Sequence, residues 1–209
     1  METHEVPERI PPITDCKNLK SQCSVCKNEA AGGVHIRTVM QKVVLRELLL
    51  KIDALDPRLF DWFKTKTVLV FADSQAPLKD NRGSILLSRS DVGGGTTLHS
   101  TLSKSGLIEV YIWIDMLEGR KDPPPVEGIN GKFVEKPIGI LLHELWHAFL
   151  HDQGLLWHGS DGFNATKACQ AVYLLVEPLR KQLGLPEMKL SLIPREVREA
   201  VENSGLGLG

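Results

Sequence analysis

Two histidines and a glutamate have the types and spacing to do chemistry in this sequence: His143-Glu144-Leu145-Trp146-His147, an HExxH pattern. Positions four apart lie one above the other on a helix, so both imidazoles can face a single zinc ion. A carboxylate beside such a pair is a base rather than a ligand. Glu144 is therefore expected to take a proton from the water that the ion activates. The flanking residues Ile138, Leu141, Leu142, Leu145, Trp146, Phe149 and Leu150 surround the helix with apolar surface, which predicts a buried element. Polar groups inside such a helix are costly unless something satisfies them, and an ion would satisfy this set.

A catalytic zinc site has three protein ligands and one open position. His151 lies one turn beyond His147, but His143 and His151 would be about 12 Å apart along a continuous helix axis, too far to share one ion. His151 suits the helix end, where a cation is favoured. The extended pattern HExxHxxGxxH fails, because Leu150 and Gln153 stand where glycine and histidine are required. Gly154 can end the helix, and the loop after it lets the chain turn back. His158 is thus the expected third ligand, with Asp161 as its rival.

Taken together, His143, Glu144 and His147, followed by His158-Gly159 and by Phe163 at the start of another amphipathic segment, resemble the SprT-like (Spartan-like) zinc metalloproteases. The likeness covers about Gly139 to Val176. The loop between His147 and His158 is short for that family, and one extra residue separates Gly159 from Phe163. The resemblance implies an α+β, zincin-like fold, with a small mixed sheet packed on the HExxH helix and flanking helices. It implies a zinc metalloendopeptidase acting on protein or peptide substrates, with Zn2+ held by His143, His147 and His158 and with Glu144 as the base. Some members cleave proteins crosslinked to DNA, so DNA is a partner by resemblance alone. The lysines and arginines here are scattered, and no cysteine pair follows the core to form a zinc ribbon. The alternative from a different class is a non-catalytic, metal-stabilised module of the same fold that binds peptides or proteins.

The rest of the chain must position these residues. At 209 residues it can bury a substantial core, and a net charge of −1 exerts no long-range pull on nucleic acid or anionic membrane. No apolar run reaches the length of a membrane span. The acidic N-terminus has no apolar segment, and the chain carries four cysteines, which together predict an intracellular protein, nuclear or cytoplasmic. Oligomeric state is not legible.

Residues 1–34 read as an extended arm containing Cys16, Cys23 and Cys26: free thiols, or a small zinc site in which Cys23 and Cys26 form one half and Cys16 and His35 complete it. The protease domain is expected over 35–185, and a C-terminal helix and disordered tail over 186–209. Helical spacing runs over 36–55, then from Pro57 behind an Asp56 cap. Strands are expected at Thr67–Phe71, Ser84–Ser88, Thr96–Ser100 and Leu107–Ile114. Either Leu107–Ile114 or the strand before it should be the edge that pairs with substrate. Glu118–Lys132 reads as a loop. Phe163–Lys181 reads as a helix capped by Ser160 or Asp161 and kinked or ended by Pro178. Its apolar face includes Cys169, expected as a small buried hydrophobe, and Tyr173. Pro194 opens a last helix, and 204–209 are expected to be disordered.

Overall fold

The computed structural model describes residues 13–15, 33–36, 42–72, 78–79, 85–87, 95–99, 108–113, 125–160 and 162–206, with side chains over 45–63, 125–160 and 162–206. Cys16, Cys23, Cys26, Asp161 and the side chain of His35 lie outside the described residues.

Five strands form one sheet: β1 (Ile13–Asp15), β2 (Gly33–Ile36), β3 (Thr67–Ala72), β7 (Ile108–Trp113) and β6 (Gly95–His99), in the order β1-β2-β3-β7-β6. The first four are parallel neighbours, and β6 runs antiparallel to β7. Two segments of the expected arm are thus strands. The β-branched Val34 and Ile36 extend alongside β3, and the helix expected from residue 36 begins only at Lys42. Strand β7 lies inside the sheet, which leaves β6 as the edge on that side among the described residues. A short hairpin pairs β4 (Leu78–Lys79) with β5 (Ile85–Leu87).

Helix α1 (Lys42–Leu55) buries Leu45, Leu48, Leu49 and Ile52, the stripe that its 3.6-residue period predicts. The Asp56 carboxylate caps α2 (Pro57–Lys66) by accepting from Leu59 N–H at 3.1 Å. Phe60 and Phe63 of α2 are fully buried. The Trp62 indole N–H donates to Asp152 at 2.8 Å, tying α2 to the end of the HExxH helix.

That helix, α3 (Pro137–Asp152), explains its own composition. It packs on β6 and β7, on α1 and α2, and on α4 (Ala165–Gln182), so almost every face meets protein. It stops where Gly154 adopts φ +67°. Leu155 N–H donates to the Leu150 carbonyl and Gly154 N–H to the His151 carbonyl, both at 3.0 Å, a left-handed cap that only glycine enters without strain.

Several expectations need correction. Within Glu118–Lys132, β8 (Val126–Gly128) and β9 (Gly131–Phe133) form a hairpin. Its outer side pairs with the chain near Met188, through Ile129 N–H to the Glu187 carbonyl and Lys189 N–H to the Glu127 carbonyl, each 3.1 Å. The α4 cap is Asn164, whose side chain accepts from Lys167 N–H at 2.9 Å. Pro178 is exposed inside α4 and does not end it, because Leu179 and Arg180 beyond it are buried and hold the last turn. Helix α5 (Arg195–Asn203) sends Val197 and Val201 into the same core as α3 and α4. Leu206 packs against that core as well, so the disorder expected over 204–209 does not hold at Leu206, and 207–209 lie outside the described residues. No helix among the described residues is long and apolar enough to cross a membrane.

Candidate metal centre

Helices α3 and α4 pack antiparallel. His147 faces Cys169, His143 faces Tyr173, and Gly139 faces Arg180. On α3 these positions are four apart, one turn each. On α4, Cys169, Tyr173, Val176 and Arg180 recur at helical spacing and form one stripe. Between the two helices lies a cavity of about 480 Å3, lined on one side by His143 and Glu144 and on the other by the α4 stripe. Pro125, Val126, Met188, Leu190, Leu192 and Ile193 contribute its apolar wall.

The two HExxH rings converge as their spacing demands. Their Nε2 atoms are 3.0 Å apart, with the rings nearly perpendicular at 79°. Cys169 Sγ lies 3.4 Å from His147 Nε2. Among the described residues, His143, His147 and Cys169 form the group whose donor atoms are close enough to share an ion, all within 4.8 Å of one another. Glu144 is buried beside them and faces the cavity.

Burial sets the protonation states. It drives the His143 imidazole well below its ordinary pKa, with further depression from His147 and Arg180. Burial also lowers His147 to about 4. Both rings are therefore neutral at physiological pH, the form that ligates a metal. Two neutral rings facing through Nε2 can share only one proton. Either one ring donates to the other, or both turn lone pairs toward a common cation. Both Nδ1 atoms are buried, with no hydrogen-bond partner among the described residues. The donor set fits a transition-metal ion of the zinc type: two imidazoles and a thiol, with a carboxylate at hand. The thiol is pushed up to about 11, first by burial and then by the charge of Glu144. The Tyr173 phenol is pushed up to about 12 by burial and by Cys169, Glu144 and Glu135, against the pull of Arg180, so it is a neutral donor.

His158 does not join this group. It is exposed, on a turn from Trp157 to Ser160 closed by Trp157 N–H to Ser160 Oγ at 2.8 Å and Ser160 Oγ–H to the Trp157 carbonyl at 2.7 Å. Leu156, buried with φ +49°, reverses the chain just before it. The side chain that turns inward is Trp157. Its ring lies edge-on to His147 at 5.4 Å and to His151 at 4.8 Å. His151 occupies the last turn of α3, as its position predicts.

Two features had no sequence signal strong enough to find them. Cys169 is four residues from Tyr173, which puts both on one face of a helix, but nothing in that spacing says the face meets His147. The second is the ion-pair cluster at the far end of the cavity. Arg180 is buried and pairs with Glu135 and, at 3.4 Å, with Glu177, while its Nη2 donates to the Pro186 carbonyl at 2.8 Å. No family model, curated protein or solved structure matches this chain, so its own geometry must carry the functional reading.

Proposed function

We propose that this chain is a zinc-dependent metallopeptidase that hydrolyses peptide bonds in protein substrates. The observation that carries the reading is the convergence of His143 and His147 through Nε2 at 3.0 Å, beside the buried Glu144, on the wall of a cavity. His143 and His147 would hold the zinc ion, which when bound would supply Lewis acidity to polarise a carbonyl and activate water near neutral pH. Glu144 accepts the proton that the attacking water loses, then passes it to the leaving amine. Tyr173, neutral and facing the same cavity, offers a hydrogen-bond donor where negative charge develops on the carbonyl oxygen. The apolar wall excludes water from the reacting bond. Strand β6, packed beside α3, is the last strand on its side of the sheet among the described residues, a position suited to pairing with an extended peptide.

The likeness of the HExxH segment to SprT-like proteases supports the same reaction. By that likeness alone, proteins associated with DNA are candidate substrates, and stimulation of cleavage by added DNA would show that preference. The decisive test of the chemistry is Glu144→Gln. The variant should keep the metal and lose hydrolysis of an unfolded protein such as casein by about 100- to 10,000-fold. Undiminished cleavage by the variant removes Glu144 from the mechanism.

A further inference from the structure

We propose that Cys169 is the third protein ligand, giving a His143, His147 and Cys169 donor set in place of one completed by His158. This inference rests on the metal reading above and assigns a residue that the HExxH pattern does not contain.

The distances support it. In tetrahedral zinc sites, bonds of about 2.0–2.1 Å to nitrogen and about 2.3 Å to sulfur place two nitrogens about 3.4 Å apart and a nitrogen and sulfur about 3.6 Å apart. The corresponding separations here are 3.0 Å between the imidazoles and 3.4 Å from His147 Nε2 to Cys169 Sγ. The three donor atoms lie within 4.8 Å of one another, so a tetrahedral site needs side-chain rotation that brings the widest pair closer by about 1 Å.

The scaffold supports it too. Cys169 stands in the second turn of α4, a helix capped by Asn164 and anchored by the buried Ala168, Ala171 and Val172. Its position against His147 is therefore set by helix packing. His158 would have to leave an exposed turn and displace the Trp157 ring from beside His147.

On binding, the Cys169 thiol releases its proton to solvent and a metal–sulfur bond forms, with no change of oxidation state. One thiolate and two imidazoles leave a divalent ion with a net charge near +1. The thiolate also selects zinc or cobalt over the hard cations calcium and magnesium.

The test uses cobalt(II) as the probe, added to the metal-free full chain. Three of the four cysteines, Cys16, Cys23 and Cys26, are first changed to serine, which leaves Cys169 as the single thiol. The expected result is a near-ultraviolet thiolate-to-cobalt charge-transfer band, retained in His158→Ala. In Cys169→Ser, which preserves the size of the side chain, the band should vanish and cobalt should bind at least about 10-fold more weakly. Circular dichroism verifies the fold of each variant. Cobalt that binds and is lost in His143→Ala but gives no charge-transfer band overturns the role of Cys169 and leaves the metal reading intact. Loss of cobalt in His158→Ala, with no effect from Cys169→Ser, restores the histidine as third ligand. Absence of any cobalt binding removes both readings together.

Discussion

The α3–α4 cavity has a polar cluster at each end, and the two differ in charge: ion pairs at one, neutral donors at the other. At one end Arg180 is buried among Glu135, Glu177 and the Pro186 carbonyl, and its guanidinium lies 5.5 Å from the centre of the Phe133 ring. Opposite charges and a backbone acceptor answer one another there, although Arg180 Nε and Glu177 Oε2 meet as an ion pair at 3.4 Å and not as a hydrogen bond. At the other end His143 and His147 turn Nε2 toward each other, with the Cys169 thiol alongside and both Nδ1 atoms without a hydrogen-bond partner among the described residues. Both clusters sit on the same pair of helices, so burial does not distinguish them. The first cluster is closed by charge, its cation meeting two carboxylates; the open one is built of neutral donors close enough together to hold an ion.

The sharpest way to break this contrast is to open the closed cluster. Arg180→Ala leaves Glu135 and Glu177 without their cation and should cost about 3–5 kcal/mol of stability, read from the urea midpoint. A loss below about 1 kcal/mol would mean the ion pairs are not what joins α3 to α4 at that end.

Acid should act on the open cluster next. In metal-free protein, His147 titrates near 4 when folded and near 6.5 when unfolded. Above pH 6.5 both states are neutral. Below it the unfolded chain takes a proton that the folded chain refuses, so stability is lost between pH 6.5 and 4. At about 1.36 kcal/mol per pKa unit, His147 alone accounts for about 3 kcal/mol. Glu177 has the opposite sign. Burial raises its pKa, so its contribution is present in acid and lost as pH rises through its folded value. Urea titrations at several pH values should show a flatter profile for His147→Gln over that window. An unchanged slope would place the acid sensitivity elsewhere.

The smallest effect concerns the approach of the two helices. A methyl group on Gly139 would run into the Glu135 carboxylate and lie 3.0 Å from Arg180 Nη1. Gly139→Ala should therefore destabilise by about 1–3 kcal/mol, even though alanine is normally the better helix residue. A stabilised variant would show that the pair tolerates displacement.

Much of this frame was legible in the chain. The apolar run around His143 required burial, Asp56-Pro57 marked the start of α2, and Gly154 marked the end of α3. These are local signals, readable within a turn or two. Asn164 was missed as the α4 cap because Ser160 and Asp161 are equally good capping types, and Ser160 instead closes the turn that carries His158. The hairpin β8–β9 was missed because its strands are three residues each and gain their pairing from the distant Met188 segment.

Sequence alone settled that His143 and His147 share one face of a helix with Glu144 beside them, since helical periodicity demands it. It also settled that this helix is interior. Which donor stands opposite the pair was decided only by the tertiary structure. The antiparallel register of α3 and α4 brings Cys169 to His147 and Arg180 to Gly139, while the turn at Leu156 sends Trp157 inward and His158 outward. Register between helices depends on side-chain volumes summed over the whole contact, and no local pattern in the chain encodes that sum.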